Sequence, residues 1–269
     1  MAERRSPTTN ETPTASVARV TALLDTFVEA HTDLGVTEIS TRLGLAKSVV
    51  HRLVTALTKA GYLSQTANTH RYVLGPRATR LGQVALGQMD IRARARPILR
   101  ELAAGTGETA TLSTVAGDDR VYAEQIESRQ PVRQSVHIGS VAPLYLGASS
   151  KAILAFLPER RSDAILAHAG KSGVTLTDGS RLDVKALRVE LGTIRKRGFA
   201  TSQGERIVGA VSSAAPVFDH HGDVIGSISV ASVSVRHGKS DLMKFGEIAR
   251  DAADRLSTEL GWPGRSGQH

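Results

Sequence analysis

Cysteine is absent from the chain. That single absence excludes disulfides, thiolate zinc sites, iron–sulfur clusters and cysteine nucleophiles. Aromatic residues supply only 4% of the sequence. No apolar run approaches the roughly 18–20 residues that a membrane span needs. The opening stretch, Met1 to Ser16, carries charge with no apolar segment behind it, so no secretory signal is expected. The chain reads as cytoplasmic, with no membrane partner. What remains is ample: 269 residues, 41% of them hydrophobic, are enough for two packed domains.

A more local shortage says more. The formal net charge is +8, from 34 Lys and Arg against 26 Asp and Glu. A basic total alone is weak evidence for a polyanionic partner. Between Glu38 and Asp90, however, there is no acidic residue at all. The chain's overall frequency would put about five carboxylates there. The same stretch holds Arg42, Lys47, Arg52, Lys59, Arg71, Arg77 and Arg80, with His51 and His70. That is the electrostatic footprint of a phosphate-binding surface.

Residues 1–15, rich in Thr, Ser, Pro and charge, are expected to be a flexible tail. A helix should open behind Ser16, where Val17, Val20, Leu23, Leu24, Phe27 and Val28 recur at helical spacing. Thr37 is the cap candidate of a short second helix that buries Ile39 and Leu43 and stops at Gly44. A third helix runs from about Lys47 to Ala60. On a helical wheel Val50, Leu53, Val54 and Leu57 share one side, and Lys47, Ser48, His51, Arg52 and Thr55 the other. The outer face has cations, hydroxyls and no carboxylate. A short helix, a Gly-containing turn and such a second helix make a helix-turn-helix whose second member enters the major groove. Arg52 has the fork for a guanine edge, and Lys47 suits phosphate. Val49, beside them, completes the DNA-facing set on this helix. The β-prone runs Tyr62–Ser64 and Arg71–Leu74 flank a polar tip and form a wing. Asn68, His70 and Arg71 on it are expected to touch backbone or minor groove.

The second half alternates differently. Thr109–Val115 with Arg120–Ile126, and Ala210–Val217 with Val224–Val233, flank turn-forming segments and read as hairpins. Helical stretches near 150–157, 161–169 and 184–197 lie between them, and an amphipathic helix over about 240–260 follows. The fold class is therefore α+β with an antiparallel sheet.

These residues resemble the IclR family of bacterial transcriptional regulators. The N-terminal resemblance lies in Val36-Thr37-Glu38-Ile39-Ser40, Leu43-Gly44-Leu45, Lys47 to Leu53, Gly61-Tyr62, Tyr72 to Arg77 and Leu81-Gly82. Thr106 to Thr109, Pro143-Leu144, Ser150 to Ala155, Arg197 to Ala200 and Ala214 to Asp219 carry it on in family order. The resemblance implies a winged helix-turn-helix domain over 16–76 and a linker helix over 77–91. A GAF-like effector-binding and oligomerisation domain over 92–261 and a C-terminal tail over 262–269 complete the chain. It implies a ligand, an organic or aromatic acid, held against the sheet by Ala148, Ser149, Ser202, Ala210, Ser212, Ser229 and Ala231. The family often carries Asp where Ser202 stands, and some members Cys where Ser212 stands, so no effector identity is inherited.

The residues themselves support part of this. Gly147 to Ser150 open a helix with small side chains, so its amides can approach an anion. Ser212 and Ser229 alternate with apolar neighbours, which gives each a defined face. Asp219-His220-His221-Gly222-Asp223 invites a metal reading, but hairpin turns recruit Asp and Gly for backbone reasons, and no metal or other cofactor is expected. Ser149-Ser150-Lys151 has no Ser-x-x-Lys spacing, and no catalytic residue is assigned. The expectation is a dimeric or tetrameric effector-responsive regulator, more often a repressor, on a near-palindromic duplex operator. An enzyme with an appended DNA-binding domain, and a non-specific architectural DNA binder, are the competing classes.

Overall fold

The computed structural model describes residues 13–30, 32–87 and 90–264. The expected tail over residues 1–12 lies outside the described residues. The chain divides into two compact units, Met1–Met89 and Asp90–His269.

In the first unit, helix α1 (Pro13–Ala30) begins three residues before the expected Ser16 cap. Leu23 and Phe27 are buried, Val20 and Leu24 pack at the edge, and Val17 and Val28 are exposed. The apolar stripe is thus narrower than its periodicity suggested. Helix α2 (Val36–Leu43) is capped at Gly35, not Thr37. Glu38, at the third helical position, reaches back to accept the Gly35 N–H at 2.8 Å. This is the carboxylate arm of a capping box. Gly44, at φ 62°, ends the helix in the left-handed conformation. Helix α3 (Lys47–Lys59) then buries Val50, Val54 and Leu57 against Leu23, Leu34 and Ile39. Strands β1 (Leu63–Gln65) and β2 (Tyr72–Leu74) pair antiparallel as the wing. A bridge between Leu34 and Tyr72, 2.9 Å in both directions, ties the wing to the segment before α2. Helix α4 (Pro76–Gly87) follows.

The second unit opens with α5 (Ile91–Thr106), capped by Asp90. Arg92, Arg94 and Arg96 lie on α5, which buries Ala95, Ile98 and Leu99. The sheet has the order β5-β4-β3-β8-β7-β6 and is antiparallel throughout. Its strands are β3 (Thr109–Ala116), β4 (Asp119–Ile126), β5 (Val141–Pro143), β6 (Ala200–Gln203), β7 (Ala210–Phe218) and β8 (Val224–Val233). Helices α5 and α9 (Lys239–Glu259) pack on one face. Helix α6 (Ala148–Leu154) packs on the other, with α8 (Val184–Arg197) against it and α7 (Glu159–Lys171) against α8. Because both faces are covered, β7 and β8 read as nearly continuous buried runs instead of alternating ones. Trp262, assigned to the tail by sequence, is buried and stacks on Phe218 at 4.8 Å. The apolar ring closes the end of the core, so the domain reaches past residue 261.

Glu108 anchors the start of β3. It is buried, receives two 2.9 Å bonds from Arg236, and lies 3.0 Å from His237 Nε2. Burial pushes its carboxyl up, but the bonds from Arg236 and His237 outweigh that and hold it below the ordinary 4.5. A depressed carboxyl stabilises the fold above its unfolded pKa, and the gain disappears as pH falls through the folded value. Glu108→Gln should cost about 1–3 kcal/mol at neutral pH. Urea unfolding should show that deficit shrinking in acid.

Candidate functional site

The turn at Gly44 sets α3 so that its apolar side faces α1 and α2 and its polar side faces outward. Lys47, Ser48, His51 and Arg52 are exposed, and Val49 and Thr55 are half-buried. Among the described residues neither Lys47 nor Arg52 is in an ion pair, so both charges are available to a polyanion. No side chain caps the first amides of α3, because Ala46 stands at the cap. Such an uncapped N-terminus, flanked by Lys47 and Ser48, favours a phosphate.

The wing is less uniform. Asn68 and His70 lie exposed at its tip, and His70 adopts a φ of 52° that histidine tolerates better than most residues. Arg71 is different. It pairs with Asp33 at 3.0 Å and Glu38 at 2.7 Å, and donates to the Asp33 carbonyl at 2.8 Å. The hydrogen bond to Asp33 chiefly raises its pKa. Two carboxylates from just outside the acid-free stretch therefore fold back and compensate this cation. Arg71 fixes the wing to the α1–α2 connection; it is not a bare charge on the surface.

In the second unit, strand register assembles a cavity. Ser202 on β6 stands opposite Ser212 on β7, Ser212 opposite Ala231 on β8, and Ala231 opposite Thr109 on β3. A second row aligns Ser229 with Thr111, whose hydroxyls lie 2.6 Å apart. Together with Ala148 and Ser149 on α6 and Ala210 on β7, these residues line a cavity of about 80 Å³. All seven residues assigned to ligand binding by sequence thus share one space.

Sequence reasoning missed the cavity's charged side. Arg120 on β4 is only 2% exposed. Its guanidinium donates to Ser150 Oγ at 2.7 Å, Ser113 Oγ at 2.9 Å and Tyr122 Oη at 2.9 Å. It also lies 4.3 Å from the centre of the Tyr122 ring. Arg206 donates to the same phenol oxygen at 2.8 Å. Burial pushes the Tyr122 phenol up, but the two guanidiniums outweigh it and hold the phenol below its usual range. The available signal was the spacing of Arg120 and Tyr122, two apart on a strand and so on one face.

Helix α6 corrects one expectation. The Gly147 N–H at its start is already taken by Glu205, at 2.8 Å. Glu205 also pairs with the buried Lys151, which in turn reaches Glu190 at 2.8 Å. The carboxylate at that amide is therefore the protein's own. Ser150 and Lys151 are both committed to these networks, which accounts for them without nucleophilic chemistry. In the β7–β8 turn, Asp219 Oδ1 accepts the N–H groups of His221 and Asp223 at 2.9 and 3.1 Å. The adjacent His220 and His221 rings lie against each other, their centres 3.8 Å apart. Among the described residues no helix is long and apolar enough to cross a membrane.

Comparison with known proteins agrees with this geometry. Residues 16–67 match the family model described as the IclR helix-turn-helix domain, and residues 83–258 the one described as bacterial transcriptional regulator IclR C-terminal. The chain is 33% identical to the HTH-type transcriptional regulator XynR of Escherichia coli, over 92% of this chain and 98% of that protein. It is 31% identical to the HTH-type transcriptional regulator KipR of Bacillus subtilis, covering 92% and 97%. The crystal structure of Pseudomonas aeruginosa HmgR superposes with a TM-score of 0.79 at 26% identity, covering 93% of this chain and 99% of that one.

Proposed function

The chain belongs to the IclR family of bacterial transcriptional regulators, with a DNA-binding helix-turn-helix and a C-terminal effector domain, and on that premise we propose that it is a repressor released from its operator by a small organic acid. It is a regulator, not an enzyme. The face formed by Lys47, Ser48, Val49, His51, Arg52 and Thr55 reads the major groove, and Asn68 and His70 contact the flanking backbone. Arg71 supports the wing that carries them. A dimer, or a dimer of dimers, presents two recognition helices about one helical turn apart, which calls for a near-palindromic site. The acid occupies the cavity lined by Ala148, Ser149, Ser202, Ala210, Ser212, Ser229 and Ala231, and binds one arrangement of the protein more tightly than the other.

The observation that carries the sensing half is Arg120, a buried cation whose hydrogen-bond partners are all neutral and which borders an open cavity. A buried charge without a counter-charge is costly, and a ligand carboxylate would supply one. The test is fluorescence anisotropy with duplexes from the protein's own promoter region, across salt and with a panel of small carboxylates. Salt-sensitive binding that a carboxylate weakens is expected; binding indifferent to every acid would end the sensing reading. Ser212→Leu should then block the response, since the added side chain enters the row between Ser202 and Ala231 and fills the cavity. Acid affinity should fall by roughly tenfold or more, with the unfolding midpoint little changed.

A further inference from the structure

The geometry points to Arg120, Tyr122 and Arg206 as the carboxylate-binding cluster of the cavity, and to a short aliphatic acid bearing hydroxyl groups as its ligand. This rests on the sensing role just proposed and adds to it the atoms that bind and the chemical class that fits.

The phenol of Tyr122 carries the argument. Its oxygen accepts from Arg120 Nη2 at 2.9 Å and from Arg206 Nη1 at 2.8 Å. A phenol oxygen has two lone pairs, and both are used. Its own proton therefore needs an acceptor, and among the described residues it has none. Neither Arg120 nor Arg206 is in an ion pair among the described residues. The one nearby carboxylate on the cavity wall, Glu205, is held by Lys151 and the Gly147 amide. Two cations and one phenol proton thus converge without an anion. A ligand carboxylate accepts from all three, in the charge-assisted geometry that suits Arg best.

The opposite wall selects the rest of the ligand. The hydroxyls of Ser149, Ser202 and Ser212 border the cavity and make no hydrogen bond among the described residues. A hydroxylated carbon chain pairs with them. An aromatic ring would exclude water from them and give nothing back. Among the described residues Tyr122 is the sole aromatic side chain on the lining, and the Arg120 guanidinium already lies over its ring.

The experiment is calorimetric titration of the full chain with glycerate, D-gluconate, glycerol and benzoate. It is repeated on Arg206→Gln, Tyr122→Phe and Ser212→Leu, each checked for cooperative thermal unfolding. At least one hydroxylated acid should bind, with benzoate and glycerol weaker by roughly tenfold or more. Arg206→Gln and Tyr122→Phe should each weaken that acid by roughly tenfold. A spectroscopic signature accompanies binding. An anion beside the phenol disfavours the phenolate, so tyrosinate absorbance of the free chain at mildly alkaline pH should fall when the acid binds, and Tyr122→Phe should lack the change. Undiminished acid affinity in both cluster variants overturns the cluster, and benzoate binding as tightly as gluconate overturns the ligand class. Neither result touches the sensing role, which fails if DNA binding is indifferent to every acid; an acid that binds Ser212→Leu normally overturns this cavity as its site. No binding by either hydroxylated acid overturns the proposal.

Discussion

Gly75→Ala is expected to abolish DNA binding while leaving the ligand-binding domain folded. Gly75 sits where β2 hands over to α4, and its N–H donates to the Tyr62 carbonyl at 2.7 Å. A Cβ there would lie 2.5 Å from the Gly61 carbonyl oxygen and 2.9 Å from the carbonyl carbon and oxygen of Leu63. All three atoms are backbone, so no side chain can swing aside. Relief requires parting α4 from the turn that follows α3, which also breaks the Arg77 N–H bond to Gly61, now 3.0 Å. Overpacking of this kind costs about 3 kcal/mol or more where the neighbours are rigid. A unit of this size has a total of only about 4–11 kcal/mol. The recognition helix is packed on the same small core, so its placement goes with the wing. Since the two units have separate cores, urea unfolding should show an earlier transition for the N-terminal unit and an unchanged one for the other. Wild-type operator affinity in Gly75→Ala would mean that the hand-over is not rigid.

The contrast between what the sequence reveals and what it hides has a physical cause. Helix α3 is legible because Val50, Val54 and Leu57 repeat at the helical period and leave the cations on the far side. β5 and β6 escape detection because three or four residues at a sheet edge give no alternation to read. Part of the cavity's polar lining is hidden by a bulge. Thr111 pairs with Gln125, but after a register shift between Leu112 and Ser113, Ser113 pairs with Tyr122. Without that shift Gln125 and Tyr122, three apart, would point to opposite faces; with it both line the cavity. Arg71 is hidden for another reason. Its partners Asp33 and Glu38 lie more than thirty positions away, and local charge counting cannot see a contact made by folding. The shortage of carboxylates between Glu38 and Asp90 is a true property of the chain, yet the surface it forms is less uniform than that count implies. By contrast, the serines across β6, β7 and β8 were found because the family resemblance fixed their positions, and strand register then set them side by side.

The second large effect separates the two kinds of contact made by α3. Arg52→Ala should remove about 1–3 kcal/mol of discrimination between operator and scrambled duplex, roughly five- to 150-fold. Its guanidinium is exposed and, among the described residues, unpaired, so the folded state should be unaffected by its removal. Lys47→Ala should act otherwise. Its ammonium at the start of α3 is a point charge suited to phosphate, so the variant should bind every sequence more weakly and lower the salt slope by about one. Measuring both variants on both duplexes at several salt concentrations distinguishes them, because a base contact changes the ratio of affinities and a phosphate contact changes their common salt dependence. An Arg52→Ala protein that keeps the full ratio but loses salt dependence would exchange the two roles. One that keeps both would move base reading away from this residue, toward Ser48, His51 and Thr55 on the same face.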